Sequence, residues 1–589
     1  MEYTPSEYQK KIYDFVLHGA GNAFISAKAG SGKTTTMVEA MKLVPEKEKC
    51  IFLAFNKNIV EELSKKVEDH KNCNVSTVHS LGLSILKSKF GEITVDELKY
   101  DTYFRENIKN ISDPECLRSN RRAIKTYYKN IRKLVDLSRL FLCQSESEIS
   151  KLAEERGIQT LCDEADVASS ILEWGRKNVE TVDYTDMVWL PNELLLKPPK
   201  RYDWVFCDEV QDFSLAYYSL VEKCIKRGGR LFSVGDEKQM INGFAGASEK
   251  ALEKIVNRPN TKTFQLPICY RCDRSIVALA KKYASEITCR EDADEGKIMY
   301  NRFISEIKSG DLVLSRTNAP LAKLYMTFLK NGVKCNMLGK TMVEDLIPNV
   351  EASGNEQLNP DVFEKGVFYD LYLNLFTCIK RIAEVRGIHK EDAMLLREPM
   401  MQYDSIQTLR ILSDGLNTKE ELLERLRNIG TFEPDETVNE KGITLSTIHK
   451  AKGTEYDRVF ILCDPSLPLT DEMPEWEKEQ EKNLTYVAYT RAKHYLGFID
   501  ENEVPKCGRQ MPNEEILKDM LIAETLVMNI KGEPISENEY TSEAIKKKVD
   551  GAVLKKEKEV KLNIITTKPF EKRKGPSLLD LSKYRKNEA

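Results

Sequence analysis

The chain has 589 residues, 41% of them apolar and 31% charged, with a formal net charge of −4. That length suffices for about three to four folded units at roughly 150 residues each, and the near-neutral balance excludes a surface coated uniformly in basic charge. No apolar run reaches the roughly 20 residues of a membrane span, and Met1-Glu-Tyr-Thr-Pro-Ser-Glu-Tyr-Gln9 lacks the apolar core of a secretory leader, so a cytoplasmic protein with no membrane partner is expected.

In chain order, a helix is predicted over Ser6–Leu17 and an apolar strand over Ala23–Ser26. The glycine-rich loop Ala27-Lys-Ala-Gly-Ser-Gly-Lys-Thr34 follows and runs into a helix from Lys33. Strands at Lys49–Phe55 and Asn72–Val78 complete the spacing of a βαβ unit. From about Leu81 to Lys200 the chain reads as polar helices, with basic clusters such as Arg118-Ser-Asn-Arg-Arg122. Strands resume at Trp204–Cys207 and Arg230–Val234, so one α/β domain is interrupted by a helical insertion.

A second α/β domain is predicted to open with the strand Lys262–Leu266. It continues through strands at Asp311–Ser315, Gly442–Ser446, Arg458–Leu462 and Tyr495–Phe498, with helices such as Phe368–Phe376 inserted. The expected organisation is a first lobe at 1–90 and 201–262 around an insertion at 91–200. A second lobe occupies 263–344 and 439–505 around an insertion at 345–438, and a lysine-rich extension covers 506–589. From Thr541 to Ala589 that extension carries 14 Lys/Arg against 7 Asp/Glu, a local excess suited to a polyanion.

The loop residues Ala29, Gly30, Ser31, Gly32, Lys33, Thr34 and Thr35 form a phosphate cradle. Gly30 and Gly32 let backbone amides curl around phosphate oxygens ahead of a helix N-terminus. Lys33 is placed for the β- and γ-phosphates and the Thr34 hydroxyl for Mg²⁺; Ala27 occupies a position that needs only a small residue. The apolar run Trp204–Cys207 delivers Asp208-Glu-Val-Gln-Asp212, with Asp208 expected to hold Mg²⁺ and Glu209 to position or deprotonate water. A nucleotide's phosphates with Mg²⁺ are therefore expected here. Most of the 14 cysteines lie in apolar runs and read as small buried hydrophobes. The close pair Cys269 and Cys272 has no second pair at zinc spacing, although Cys289 lies downstream, and no metal site is expected there.

Further motifs follow in order: Val234-Gly-Asp-Glu-Lys-Gln-Met-Ile-Asn-Gly-Phe-Ala-Gly-Ala247, Tyr270-Arg271, Val313-Leu-Ser-Arg-Thr-Asn-Ala-Pro320, Ser446-Thr-Ile-His-Lys-Ala-Lys-Gly-Thr-Glu455 and Leu484-Thr-Tyr-Val-Ala-Tyr-Thr-Arg-Ala-Lys493. With the phosphate loop and the acidic strand end, the set resembles the UvrD/Rep-like helicases of superfamily one, type A, across roughly residues 4 to 500. The resemblance implies an α/β fold of two RecA-like P-loop NTPase lobes with parallel sheets, each interrupted by a mainly helical insertion. It implies that the nucleotide is ATP, that Gln9 reads adenine, that Tyr270 packs near the base and that Glu455 contacts the ribose. Gln239 would sense the γ-phosphate, and Arg271 and Arg491 would be the two arginine fingers. Single-stranded DNA would run past Phe55, Asn56, Lys57, Thr77, His79, Phe244, Thr447 and His449, with Phe244 stacking on a base.

Two positions depart from the family pattern. Asn242 stands where relatives commonly have tyrosine, and Ala245 where an arginine is usual, so one stacking plane and one charge are missing. The form Lys452-Gly-Thr-Glu455 and Thr-Val-His-Ser80 point to 3′→5′ movement on single-stranded DNA. The expected activity is an ATP-dependent DNA helicase acting at single-strand/duplex junctions in replication, repair or recombination. The alternative is a translocase that moves on single strands without unwinding and removes proteins or serves a larger complex. Asp550 with Glu559-Val-Lys561 only faintly echoes a nuclease, in a segment too short and lysine-rich for a nuclease core. The tail reads instead as a basic arm for DNA or a protein partner, with Leu578, Leu579, Leu581 and Tyr584 either a docking peptide or part of a disordered end.

Overall fold

The computed structural model describes residues 4–54, 57–107, 121–158, 160, 162–338, 346–359, 366–394, 396–430, 442–462, 473–500 and 503. The first lobe is a sheet of β1 (Asn22–Ala27), β2 (Cys50–Ala54), β3 (Cys73–Thr77), β6 (Tyr202–Cys207), β7 (Ile225–Gly235) and β8 (Thr261–Leu266). The short pair β4 (Thr94–Val95) and β5 (Thr181–Val182) lies in its insertion. The strand order is β3-β2-β6-β7-β1-β8, all parallel. Helices cover both faces, so the central strands are apolar throughout rather than alternating with polar residues. Successive side chains still divide between two cores. Phe24, Ile51, Leu53, Val205 and Leu231 enter one, and Ile25, Phe52, Phe206 and Phe232 the other.

The strand expected to open the second lobe belongs to the first. β8 pairs with β1 along its whole length, from Asn22↔Thr261 to Ala27↔Leu266. The expected boundary at 262/263 therefore moves to Pro267, after which the chain crosses directly into β9 (Ile268–Cys269). The reason is topological: β1 needs a partner on its open side, and a lone apolar strand does not declare which sheet it will join.

The second lobe adds β10 (Thr288–Cys289) beside β9, and a six-stranded parallel sheet. Its strands are β11 (Lys297–Arg302), β12 (Leu312–Ser315), β13 (Cys335–Met337), β14 (Ile443–Thr447), β15 (Tyr456–Ile461) and β16 (Ala492–Ile499). They are ordered β11-β16-β15-β12-β14-β13. In both sheets the strands share one direction, so the loops at their C-terminal ends collect at one edge, where open α/β sheets bind ligands.

Each lobe carries helices on an inserted segment. In the first, Val78–Phe90, Lys99–Asn107, Arg121–Phe141, Glu146–Glu155, Glu164–Lys177 and Tyr184–Glu193 enclose a core around Tyr127, Leu134 and Trp189. Beside it lies an ion network. The fully buried Arg139 guanidinium contacts Asp183 at 2.8 Å and Asp186 at 2.9 Å. Lys99 Nζ and the Tyr100 hydroxyl donate to the same Asp186 carboxylate at 2.6 and 2.9 Å. Removing one partner of such a network leaves buried charge uncompensated. Asp186→Ala is therefore expected to destabilise this insertion by about 3–5 kcal/mol, read as a lower urea midpoint for its unfolding transition.

In the second lobe, Ile347–Glu351, Val367–Arg386, Lys390–Met394, Arg397–Leu412 and Lys419–Gly430 form a separate core. Asp404, on Arg397–Leu412, accepts the backbone N–H groups of Asn318 and Ala319 at 2.9 Å each. The insertion thus caps the helix Ala319–Lys330 of the lobe proper, satisfying donors that a helix start leaves open. No helix among the described residues is long and apolar enough to cross a membrane.

Candidate nucleotide site and strand interface

The phosphate loop leaves β1 with Gly30 and Gly32 at φ of +67° and +75°, left-handed values that favour glycine. Ala27 is buried in the core at the strand end, where a larger side chain would press on its neighbours. Ser31 Oγ is buried and has no hydrogen-bond partner among the described residues. Together with Lys33 at the start of Lys33–Lys42, that orphaned hydroxyl fits a bound phosphate. Thr35 is exposed on the first turn.

At the end of β6, Asp208 Oδ2 accepts the Thr34 hydroxyl at 2.7 Å, and Lys33 Nζ lies 3.1 Å from Glu209 Oε1. The Thr34–Asp208 oxygen pair is the kind of hard donor set that suits Mg²⁺. Burial, reinforced by the Glu209 charge, pushes Asp208 up to about 6. Burial also acts to raise Glu209, but Lys33, Lys452 and Gln211 outweigh it and hold that carboxyl down at about 2. For Lys33, burial is outweighed by Glu209, Asp236 and Asp208, so the ammonium is held above its ordinary range. Glu209 sits at φ +52°, an uncommon backbone for a side-chain-bearing residue that turns its carboxylate back toward Lys33.

The second lobe closes directly onto this loop. Tyr270 N–H donates to the Gly30 carbonyl at 2.8 Å, and a Cβ on Gly30 would lie 2.6 Å from Arg271 Cβ. Arg271 Nε donates to Glu455 at 2.6 Å, and another of its nitrogens to the Thr490 carbonyl at 3.2 Å. Arg491 is buried and donates to the carbonyls of Val487 and Thr454, both at 3.0 Å. Burial, with Arg271 nearby, lowers it to about 10. The Tyr270 ring is 41% exposed beside the loop. Gln9 is buried: its amide nitrogen donates to Thr36 Oγ1 at 2.9 Å and its oxygen accepts from Ser6 N–H, as part of the cap of Glu7–His18.

Three residues without an assigned role in the sequence reading build the contact between the lobes, two by crossing it and one by orienting an acceptor. Lys452 Nζ donates to Asp212 at 2.6 Å and to the Gln239 carbonyl at 2.8 Å. Asn242 Nδ2 donates to the other oxygen of Asp212 at 3.1 Å. The departure at Asn242 thus replaces an aromatic plane with a hydrogen bond that orients the acceptor of Lys452. Tyr486 is the third: its hydroxyl accepts from Ala29 N–H at 2.9 Å and lies 3.3 Å from Asp236. The Gln239 side chain also donates to Asp236, at 2.7 Å. Lys452 lies inside a recognisable motif, but its partners are far away in sequence and leave no local signal.

Phe244 lies five positions beyond Gln239 and is 43% exposed. Its ring meets His449 edge-on at 5.6 Å, and the Arg397 guanidinium lies 4.6 Å from its centre. His449 is held well below its ordinary value by burial, then by Arg316, Arg397 and Lys452, and is therefore neutral. A Cβ on Gly243 would lie 2.0 Å from Gln480 Nε2 and would push that side chain aside, and Gly243 N–H donates to Gln480 Oε1 at 3.0 Å. A cavity of about 700 Å³ opens beside Phe244, bordered by Lys129, Lys133, Arg156, Arg397 and Trp476.

The remaining expected strand contacts are distributed differently. Thr447 is buried at the end of β14. Thr77 caps Val78–Phe90, its hydroxyl accepting from Ser80 N–H and donating to Ser80 Oγ. His79 Nε2 lies 2.9 Å from the Tyr217 hydroxyl. Phe55 and Asn56 lie outside the described residues, as does the side chain of Lys57, and so does the whole 506–589 extension.

Residues 8–260 match the model of the UvrD/REP helicase N-terminal domain, and residues 346–503 that of the UvrD-like helicase C-terminal domain. The chain is similar to a Staphylococcus epidermidis protein described as ATP-dependent DNA helicase PcrA, with 23% identity across 86% of each chain. It is similar to the Staphylococcus aureus protein of that description at 23% identity, over 86% of this chain and 85% of that one.

Proposed function

The chain belongs to the UvrD/Rep-like helicases of superfamily one, and from that membership we propose that it is an ATP-driven motor that moves 3′→5′ on single-stranded DNA and opens duplexes in replication, repair or recombination. The Lys452 bridge is the observation that carries this reading. It ties the acidic strand end and the Gln239 turn to the second lobe, and the same short segment continues into Phe244. A change at the phosphate is thereby delivered to a residue that faces the strand. The direction rests on the form of the Lys452–Glu455 motif.

ATP binds with its phosphates in the Ala29–Thr35 loop and its base beside Tyr270, near Gln9. Thr34 and Asp208 would hold Mg²⁺, which would offset phosphate charge. Lys33 exchanges Glu209 for phosphate oxygens, which frees Glu209 to take a proton from the attacking water. Arg271 leaves Glu455, and with Arg491 it offsets the charge that develops on the transferring phosphoryl group. Glu455 is then free for the ribose. Gln239 turns from Asp236 to the γ-phosphate and reports hydrolysis to Phe244. Alternating grip by Phe244 and by the segment from Thr447, at the end of β14, to His449 moves the strand.

Duplexes with 3′, 5′ or no overhang test the reading: unwinding from the 3′ overhang is expected. Unwinding from 5′ overhangs alone would overturn the direction, and strand-stimulated hydrolysis without unwinding would establish the translocase instead. Phe244→Ala is expected to weaken single-strand affinity by about 5- to 150-fold, the equivalent of roughly 1–3 kcal/mol of stacking, while basal hydrolysis is kept. Fluorescence anisotropy beside an ATPase assay checks this, and an equal loss of basal rate would make Phe244 a packing residue.

A further inference from the structure

Cys269 and Cys272 bracket Tyr270 and Arg271 but take no part in the proposed catalysis. Cys269 ends β9, and Cys272 precedes the helix Arg274–Ala280. Both are free and buried. The Cys272 N–H donates to Cys269 Sγ at 3.4 Å. Cys269 Sγ also faces the phosphate loop, 3.0 Å from where a Cβ on Gly30 would sit. The Thr490 carbonyl is shared: Cys272 Sγ lies 3.7 Å from it, and Arg271 donates to it at 3.2 Å. Cys289, the register partner of Cys269 on β10, is partly exposed and marks the side open to solvent. Among the described residues no group of three or more His, Cys, Asp or Glu could hold a metal ion.

We propose that Cys269 and Cys272 are a redox modification site: a small hydroperoxide oxidises them to a reversible disulfide, which slows ATP turnover by locking the turn that carries Tyr270 and Arg271. Cys269 is the attacking thiol by its placement: its sulfur accepts the Cys272 N–H and faces the phosphate loop, whereas the Cys272 sulfur is turned to the Thr490 carbonyl. Cys272 beside it, with the Arg271 charge, favours the thiolate against burial. The Cys269 sulfur takes an oxygen from the peroxide as the O–O bond breaks. This leaves a sulfenic acid on Cys269 and one water or alcohol. The Cys272 sulfur then attacks Cys269, the S–O bond breaks, and water leaves with the Cys272 proton. Two thiols lose two electrons and the peroxide gains them. The new S–S bond of about 2.05 Å draws Cys272 away from Thr490 and closes a ring around Tyr270 and Arg271. Disulfides in reducing compartments are characteristically transient and regulatory.

The effect on turnover rests on the proposed ATPase function; formation of the crosslink does not. Full-length reduced protein is treated with hydrogen peroxide, its remaining thiols are alkylated, and it is digested with trypsin. Cleavage after Arg271 separates the two cysteines, so their disulfide appears as a linked peptide pair. The expected result is that pair, with turnover lowered by about 10²-fold, the cost of roughly 1 Å of misplacement at a reacting centre, and restored by dithiothreitol. Cys272→Ser and Cys272→Ala are expected to hydrolyse ATP normally and to keep that rate in peroxide. Cys50 and Cys73, whose sulfurs lie 2.7 Å apart on β2 and β3, remain in both variants as an internal control. Absence of the linked pair, its presence with unchanged turnover, or equal inactivation of the Cys272 variants would overturn the proposal. A reduced protein that hydrolyses no ATP would count against the proposed function instead, with the peptide map still deciding the crosslink.

Discussion

Arg271→Ala is expected to lower ATP turnover by about 10³-fold or more, the lower end of what an arginine finger contributes, with nucleotide affinity changed far less. The side chain sits on the second-lobe turn that touches Gly30, and its partner Glu455 is a half-exposed carboxylate it can leave. Arg491 supplies a separate charge and cannot move into the place of Arg271, because Val487, Thr454 and Thr490 hold it at its own position. Arg271→Lys is not expected to rescue, since a point charge lacks the planar fork that spans two phosphoryl oxygens. Steady-state kcat beside binding of a fluorescent nucleotide separates the two effects. A variant that turns over within tenfold of the parent would reduce Arg271 to a structural partner of Glu455.

Glu209→Gln is the second large effect, a loss in kcat of about 10²- to 10⁴-fold, as for removal of a general base, with ATP and DNA binding retained. The amide preserves the shape of the left-handed turn and can still contact Lys33 and Gln211, but it cannot take a proton from water. Single-turnover hydrolysis with saturating single strand is the direct measurement. Hydrolysis that persists at the parental rate would remove Glu209 from the chemistry and leave it as the counter-ion of Lys33.

The strands most legible in the sequence were those buried on both faces, although the partly exposed edge strands β3 and β8 were readable too. β1, β2 and β6 are near-continuous apolar runs because helices cover the sheet on each side. β11 is polar because it lies at a sheet edge with Met299 and Tyr300 exposed, and β13 spans only Cys335–Met337; neither offers enough pattern to read. β8 could be read as a strand but not assigned to a lobe, since its partner β1 lies about 240 positions earlier. The same division runs through the site. The phosphate loop and the Asp208–Glu209 strand end depend on neighbours in sequence and could be named from it. The Lys452 bridge spans 240 positions to Asp212, and Arg397 reaches Phe244 from a helix with no signal of its own. At Thr77, the residue type also matched a helix cap, and the cap is what its hydroxyl makes.

Asp404 has a mechanical consequence. By closing the N-terminus of Ala319–Lys330 from within the inserted helices, it removes the slack that a simple tether would leave at that joint. In the proposed closure of the cleft over ATP, the inserted helices and the second lobe would then swing as one lever. A displacement of ångströms at the phosphate would be magnified at the far end of the insertion, where the arm is longest.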